Sequence, residues 1–350
     1  MSTEAEKRRK DPSASQRSPW WAHAMVVFGA LLMVVAGGAA VAGQVAINTV
    51  NDSVRSDDLL GDERAQIDVN NIEGPLNFLI LGSDQRPDDT DPSLTDAIMI
   101  MQVNEDLDRA TLVSVPRDLW VPIAPNWYEG KINSAFAVSA DWSVGFANSA
   151  ATLSELTGVK FHGGAIVNFD GFTTLVGELG EIEVCPWTDV YSEHSKVTYP
   201  EGCARYAEEQ VLDIVRQRKT YSGDLYGDFG RQQMQQHVLK QILIEAKDQG
   251  YHTNPNKAVD LLNSLGDNIT MDMAEDLRPL DLIVALRDID PEQFRTVRIP
   301  SESCQTAGGS SVCIATYEQQ QMAEELFVAL QNASLGDWMT RYPEFVNDDA

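Results

Sequence analysis

Apolar positions along this chain follow two periods, and their alternation predicts its architecture. "PLNFLIL" at 75–81 is an apolar run stopped by a Gly-Ser-Asp turn, as expected of a buried strand. "DAIMIMQV" and "RATLVSV", joined by the polar turn "NEDLD", are expected beside it in one sheet. "GAIVNF" is a fourth strand, with Asp170 expected to cap a helix through "GFTTLVGEL", and "EIEV" leads on to Cys185. The stretch 205–218 reads as helical, with Tyr206, Val211, Ile214 and Val215 on its apolar side. In "QQHVLKQILIEAK", Val238, Leu239, Ile242, Leu243 and Ala246 recur at helical spacing. Towards the C-terminus, "PLDLIVALRDI" and "EQQQMAEELFVALQ" read as helices around the strand "FRTVRI". Helices interleaved with strands predict an α/β fold: a central mixed sheet flanked by helices in three layers.

The N-terminus has another pattern. From Ser18 to Asn51 there is no Asp, Glu, Lys or Arg, and the apolar part is long enough to span a bilayer, which takes about 20 residues. Lys7, Arg8, Arg9, Lys10 and Arg17 precede it, so the positive-inside rule leaves that tail in the cytoplasm. The expected organisation is a cytoplasmic tail (1–21), a transmembrane helix (22–43), an extracytoplasmic stalk (44–73), a domain core (74–250) and a C-terminal part packing on it (251–350). The protein is then a single-pass protein of the cell membrane with its folded part outside. A cleaved signal peptide ending near Ala40-Val41-Ala42 is the competing reading.

Composition narrows the function. With 26 Lys+Arg against 53 Asp+Glu and a net charge of −27, general nucleic-acid binding is excluded, because it needs a basic face. An anionic ligand must be held by a local cluster of cations. The four cysteines allow three pairings, the simplest joining Cys185 to Cys203 and Cys304 to Cys313 across short polar loops. Outside the cytosol such bonds persist. Zinc is poorly supported, since no C-x-x-C occurs.

The candidate chemistry lies at strand ends. "LGSDQR" sets Asp84 and Arg86 just past the first strand, and "TDAI" opens the next strand with Asp96. Two carboxylates meeting there with open positions suit Mg²⁺, whose shell phosphates complete; the alternative is a solvated acidic loop. "SVPRD" holds Arg117 and Asp118 behind a proline, and "VRQR" adds Arg216 and Arg218. A guanidinium is a planar fork matched to phosphate oxygens; a surface or buried ion pair is the plainer reading. In "DFGRQQMQQ", Arg231 and Gln235 are four apart and share a helix face, with Asp228 as a cap or a base. No Walker A, G-x-G-x-x-G, G-x-S-x-G or H-E-x-x-H sequence occurs.

Taken in order, the apolar anchor, "GSDQR", "TDAI", "SVPRD", "VRQR" and "DFGRQQ" resemble the LytR-CpsA-Psr family of cell-wall enzymes, from about Asn77 to Ile244. The resemblance implies a phosphotransferase that moves a glycopolymer from a polyprenyl-diphosphate carrier to a hydroxyl of peptidoglycan. It assigns Mg²⁺ to Asp84 and Asp96, the diphosphate to Arg86, Arg117, Arg216, Arg218 and Arg231, and catalysis to Arg117, Asp228, Arg231 and Gln235. Asp224 is the alternative to Asp228. Partners implied are the lipid-linked polymer, peptidoglycan and membrane lipid. A polyprenyl-phosphate-binding regulator without turnover and a diphosphate hydrolase are the other readings. The family commonly has Arg-Gln-Gln where this chain has Met234-Gln235-Gln236, and residue 234 is expected to point partly aside from the site. The site is expected to face solvent, and the Val238/Leu239/Ile242/Leu243 face is a candidate wall for the lipid tail or else core.

Overall fold

The structure is a computed structural model. It describes residues 55–56, 58–68, 71–83, 90–218, 228–251, 254–265, 269–273, 285–286, 288–301, 305–307 and 310–347. Seven strands form the central sheet: β1 (Arg55–Ser56), β2 (Leu76–Ser83), β3 (Thr95–Val103), β4 (Ala110–Ser114), β5 (Gly163–Val167), β6 (Ile269–Met273) and β7 (Arg295–Arg298). Their order is β1-β6-β5-β2-β3-β4-β7. β2, β3 and β4 are neighbours, as their sequence spacing predicts, and pair antiparallel; β2 with β5, and β4 with β7, run parallel. The sheet is therefore mixed, and the ends of β2, β4, β5 and β7 lie at the same edge as the start of β3.

Every residue of β2 and β3 is buried, because helices cover both faces. Leu76, Phe78 and Ile80 point into one apolar cluster, and Leu79 and Leu81 into the other. The first face carries α2 (Phe169–Leu179), α3 (Glu208–Ile214), α4 (Asp228–Asp248) and α5 (Pro255–Leu265). The second carries α1 (Trp142–Thr157), α6 (Tyr317–Gln331) and α7 (Leu335–Arg341). Close packing explains one glycine: a Cβ at Gly164 in β5 would lie 2.8 Å from the Phe146 ring of α1.

Several expectations need correction. The folded unit starts by Arg55 rather than at residue 74, because β1 pairs with β6 and Leu59 and Leu60 are fully buried. Asp272 on β6 holds that segment: its carboxylate accepts the Leu59 and Leu60 N–H groups at 2.8 and 2.7 Å and pairs with Arg64 at 2.5 Å. The stretch 205–218 is not one helix. Ala204–Tyr206 is a strand paired with Ile182–Val184, and α3 starts only at Glu208. Asn168, not Asp170, caps α2 by accepting the Gly171 N–H at 3.0 Å.

The C-terminal part completes the same sheet through β6 and β7. The strand in "FRTVRI" and the helix α6 stand where the pattern sets them, whereas most of "PLDLIVALRDI" lies outside the described residues. So does the expected transmembrane helix at 22–43. Among the described residues no helix is long and apolar enough to cross a membrane.

Candidate functional site

The polar groups gather at the sheet edge where β2, β4, β5 and β7 end. In open α/β sheets this is where ligands bind, because the loops there diverge and leave a crevice. A register shift between Gly82 and Ser83 brings Ser83 opposite Thr95, so β2 ends beside the start of β3. Asp84 and Arg86 follow at once, but both lie outside the described residues.

Asp96 is the centre of the described site. Continuing the β3–β4 register three residues past the Met99–Ser114 pair sets Asp96 opposite Arg117. The Arg117 guanidinium contacts the Asp96 carboxylate, and Arg218 approaches the same oxygen at 3.7 Å. Asp96 is 2% exposed and Arg117 9%, so the site is not solvent-facing as expected. Asp118 does not join them. It turns towards Lys131, whose Nζ lies 3.0 Å away, and stands 3.8 Å from the Arg117 Nε. The chain just past Arg117 is thereby tied to Lys131.

The remaining arginines come from the first face, Arg216 from the segment just past α3 and Arg231 from α4. Arg216 lies over the Phe169 ring at 5.3 Å, just past the end of β5. Burial pushes its pKa down to about 10, and the Asp213 and Glu209 carboxylates oppose that shift. Arg231 is in the first turn of α4 and fully buried. Asp228 is the first residue of that helix, and Asp224 lies outside the described residues. α4 is docked over the site edge by Gln236, whose amide donates to Ser114 Oγ at 2.5 Å and to the Val297 carbonyl at 3.3 Å.

Gln235 differs from its neighbour. It is fully buried, and neither its amide nitrogen nor its oxygen has a hydrogen-bond partner among the described residues. Leaving such a group unsatisfied costs about 1–3 kcal/mol, which makes Gln235 a candidate ligand contact. Met234 points the other way and is fully buried in the apolar cluster. The expectation that it stands partly aside at the site rim is corrected: it is core. Val238, Leu239, Ile242 and Leu243 are core too, packed between α4 and the sheet rather than lining a channel.

Cys185 and Cys203 are bonded as expected. Cys313 is also disulfide-bonded, while Cys304 lies outside the described residues. The one cluster of metal-type ligands among the described residues, Glu183 with Cys185 and Cys203, has its sulfurs tied up in that bond. Mg²⁺ suits Asp96 on one observation: its Oδ2, although buried, accepts no hydrogen bond from a described residue.

Arg298, the last residue of β7 at the same sheet edge, lies over the Phe229 and Phe345 rings at 4.9 Å each and was not singled out by its sequence pattern.

The fold and site together are an α/β/α sheet with guanidinium groups and a buried carboxylate at its crevice edge. The chain belongs to the LytR-CpsA-Psr family: the description "LytR_cpsA_psr family" matches residues 43–328. It is 26% identical to the polyisoprenyl-teichoic acid–peptidoglycan teichoic acid transferase TagU of Oceanobacillus iheyensis, over 77% of this chain and 81% of that one. It is 25% identical to the cell wall biosynthesis protein LcpA of Corynebacterium glutamicum, over 89% of this chain and 66% of that protein. Among solved structures, protein gbs0355 of Streptococcus agalactiae superposes with a TM-score of 0.61 at 19% identity, over 74% of this chain and 88% of that one. TagT bound to LIIa-WTA gives 0.59 at 21%, over 79% and 96%. The structural likenesses establish the fold.

Proposed function

We propose that this chain is a phosphotransferase of the bacterial envelope. It takes a glycopolymer from a polyprenyl-diphosphate carrier and joins it to a hydroxyl of peptidoglycan. The observation that carries this reading is the Asp96 carboxylate shared between Arg117 and Arg218, two arginines from distant segments. The names of the TagU and LcpA relatives support it.

In the reaction a new bond forms between the acceptor oxygen and the phosphorus that bears the polymer. The bridging P–O bond of the diphosphate breaks, and lipid monophosphate leaves. Negative charge grows on the leaving oxygen, so catalysis is mostly positioning and electrostatic stabilisation. Arg117, Arg218, Arg216 and Arg231 hold the diphosphate, and Arg86 is assigned with them. Their geometry is set before reaction by Asp96, by the Phe169 ring and by burial, which avoids the cost of organising it in the transition state. The Gln235 amide donates to a phosphate oxygen. Asp228 takes the acceptor's proton. Asp96, together with Asp84, would hold Mg²⁺, which would supply charge neutralisation at the diphosphate. The protein is anchored in the cell membrane by residues 22–43, with the site outside.

The deciding experiment supplies labelled lipid-diphosphate glycan and peptidoglycan to the full chain in detergent. Labelled peptidoglycan is the expected product. Free labelled sugar phosphate would mean a hydrolase, and binding without turnover would mean a carrier or regulator; either result would overturn this reading.

A further inference from the structure

Residues 186–202 form a loop closed at its root by Cys185–Cys203, with a hairpin of Val190–Tyr191 and Thr198–Tyr199 inside it. The loop is docked on one buried carboxylate. Asp213, in α3, is 5% exposed and accepts hydrogen bonds from Ser192 Oγ at 2.5 Å, Tyr199 Oη at 2.9 Å and Ser195 Oγ. All three donors belong to the loop. Ser192 Oγ in turn accepts the N–H groups of His194 and Ser195, each at 3.0 Å, so the loop's turn is wound about the same contact. Burial first, and the Asp213 carboxylate next, push the Tyr199 hydroxyl up to about 12, so it stays a donor.

Gln217, between the two arginines, is held in the same network. Its Nε2 donates to the Asp213 carbonyl at 2.8 Å, and its Oε1 accepts the Glu193 N–H at 3.3 Å. These ties matter because α3 ends at Ile214, so Arg216 and Arg218 stand beyond its regular ladder. His194 stands at the loop's turn beside Arg216: its pKa is lowered by burial first and by the Arg216 charge next.

By charge alone Asp213 is misplaced. A buried carboxylate costs several kcal/mol of desolvation, and beside an arginine meant for phosphate it opposes an anionic ligand. We infer that Asp213 is a positioning residue: it locks the disulfide-closed loop onto the Arg216-Gln217-Arg218 segment and so fixes both guanidinium groups for the diphosphate. The inference rests on the phosphotransfer reading and adds to it a part of the chain outside the site itself.

Sign separates this from a plain charge effect. Asp213→Asn keeps the shape and removes a negative charge near the ligand, so electrostatics alone predicts tighter anion binding. Positioning predicts weaker binding. Inorganic pyrophosphate with Mg²⁺, titrated calorimetrically into the full chain in detergent, should bind Asp213→Asn about tenfold more weakly or worse. Amide exchange across 187–201 should speed up in the same variant. Equal or tighter binding by a folded Asp213→Asn overturns the inference. Should that variant not fold, Tyr199→Phe decides, since it removes one donor without changing charge: weaker binding supports the clamp and unchanged binding overturns it. If the unsubstituted chain does not bind pyrophosphate, it is the phosphotransfer reading that falls, and the clamp's role in binding falls with it.

Discussion

The Asp96 carboxylate is the shared counter-ion of Arg117 and Arg218, and it is almost wholly withdrawn from water. This changes what substitution should do. A solvent-facing site would tolerate loss of the carboxylate, but here Arg117 would be left buried without it. Breaking a buried pair from one side costs about 3–5 kcal/mol. Asp96→Ala should therefore melt roughly 6–10 °C lower, and an Asp96→Leu/Arg117→Met double variant should recover much of that. Thermal melts check it. Independent, additive losses in the double variant would show that the pair is not coupled.

Met234 gives a second stability prediction. It is fully buried in the cluster beneath α4, so the arginine common in the family at this position has no solvent to reach. Met234→Arg should cost several kcal/mol or prevent folding, whereas Met234→Leu should cost less than about 1.5 kcal/mol. Urea unfolding of the two variants provides the comparison. A folded Met234→Arg with wild-type stability and tighter pyrophosphate binding would put residue 234 back at the site.

How much of this was legible beforehand depends on the range of the interaction. β2 and β3 were plain because burial on both faces leaves continuous apolar runs, "FLIL" and "AIMIM". Even the Asp96–Arg117 contact was within reach, since a short antiparallel turn fixes the register that sets them opposite each other. The misreadings were local competitions. Asn168 and Asp170 both carry a capping oxygen, but only Asn168 lies three residues before the Gly171 N–H it binds. Tyr206 fits a helical stripe, yet its strand pairs across the disulfide stem with Ile182. What no pattern carried was the docking of residues 186–202 on Asp213, which depends on tertiary contacts between separate polar segments. The same holds for Arg231 and Gln235: spacing put them on one face, but not fully inside the protein.

Acid should destabilise the fold through His162. Its Nδ1 accepts the Asn77 N–H at 3.0 Å, and burial holds its pKa below the ordinary 6.5. The neutral ring is the folded form, and protonation would remove the acceptor. Below about pH 6.5 the unfolded chain takes up a proton that the folded one resists, so stability present above that pH is lost as pH falls. His162→Gln, which retains an acceptor, should flatten the decline in urea midpoint between about pH 6.5 and 5. Parallel profiles for the two proteins would assign the decline to other groups.

The last prediction separates metal ligand from phosphate clamp. Asp96 Oδ2 has no hydrogen-bond donor among the described residues, so it has capacity for a cation, whereas Arg218 is partly exposed and can reach a ligand. Asp96→Asn keeps the shape and loses charge. If Asp96 binds Mg²⁺ with Asp84, transfer should fall steeply and recover in part as Mg²⁺ is raised. Arg218→Lys keeps the charge and loses the planar fork, so its loss should persist at every Mg²⁺ concentration. Removing a charge-assisted contact made in the transition state costs on the order of 3 kcal/mol, or about a hundredfold in rate. Both variants must first be shown folded by thermal melts, because Asp96 also holds Arg117 in place. Equilibrium dialysis then gives Mg²⁺ affinity independently of activity: it should fall for Asp96→Asn and stay unchanged for Arg218→Lys. If Asp96→Asn binds Mg²⁺ like the parent and no Mg²⁺ concentration restores it, then Asp96 serves the arginines alone and the metal, if used, is held elsewhere.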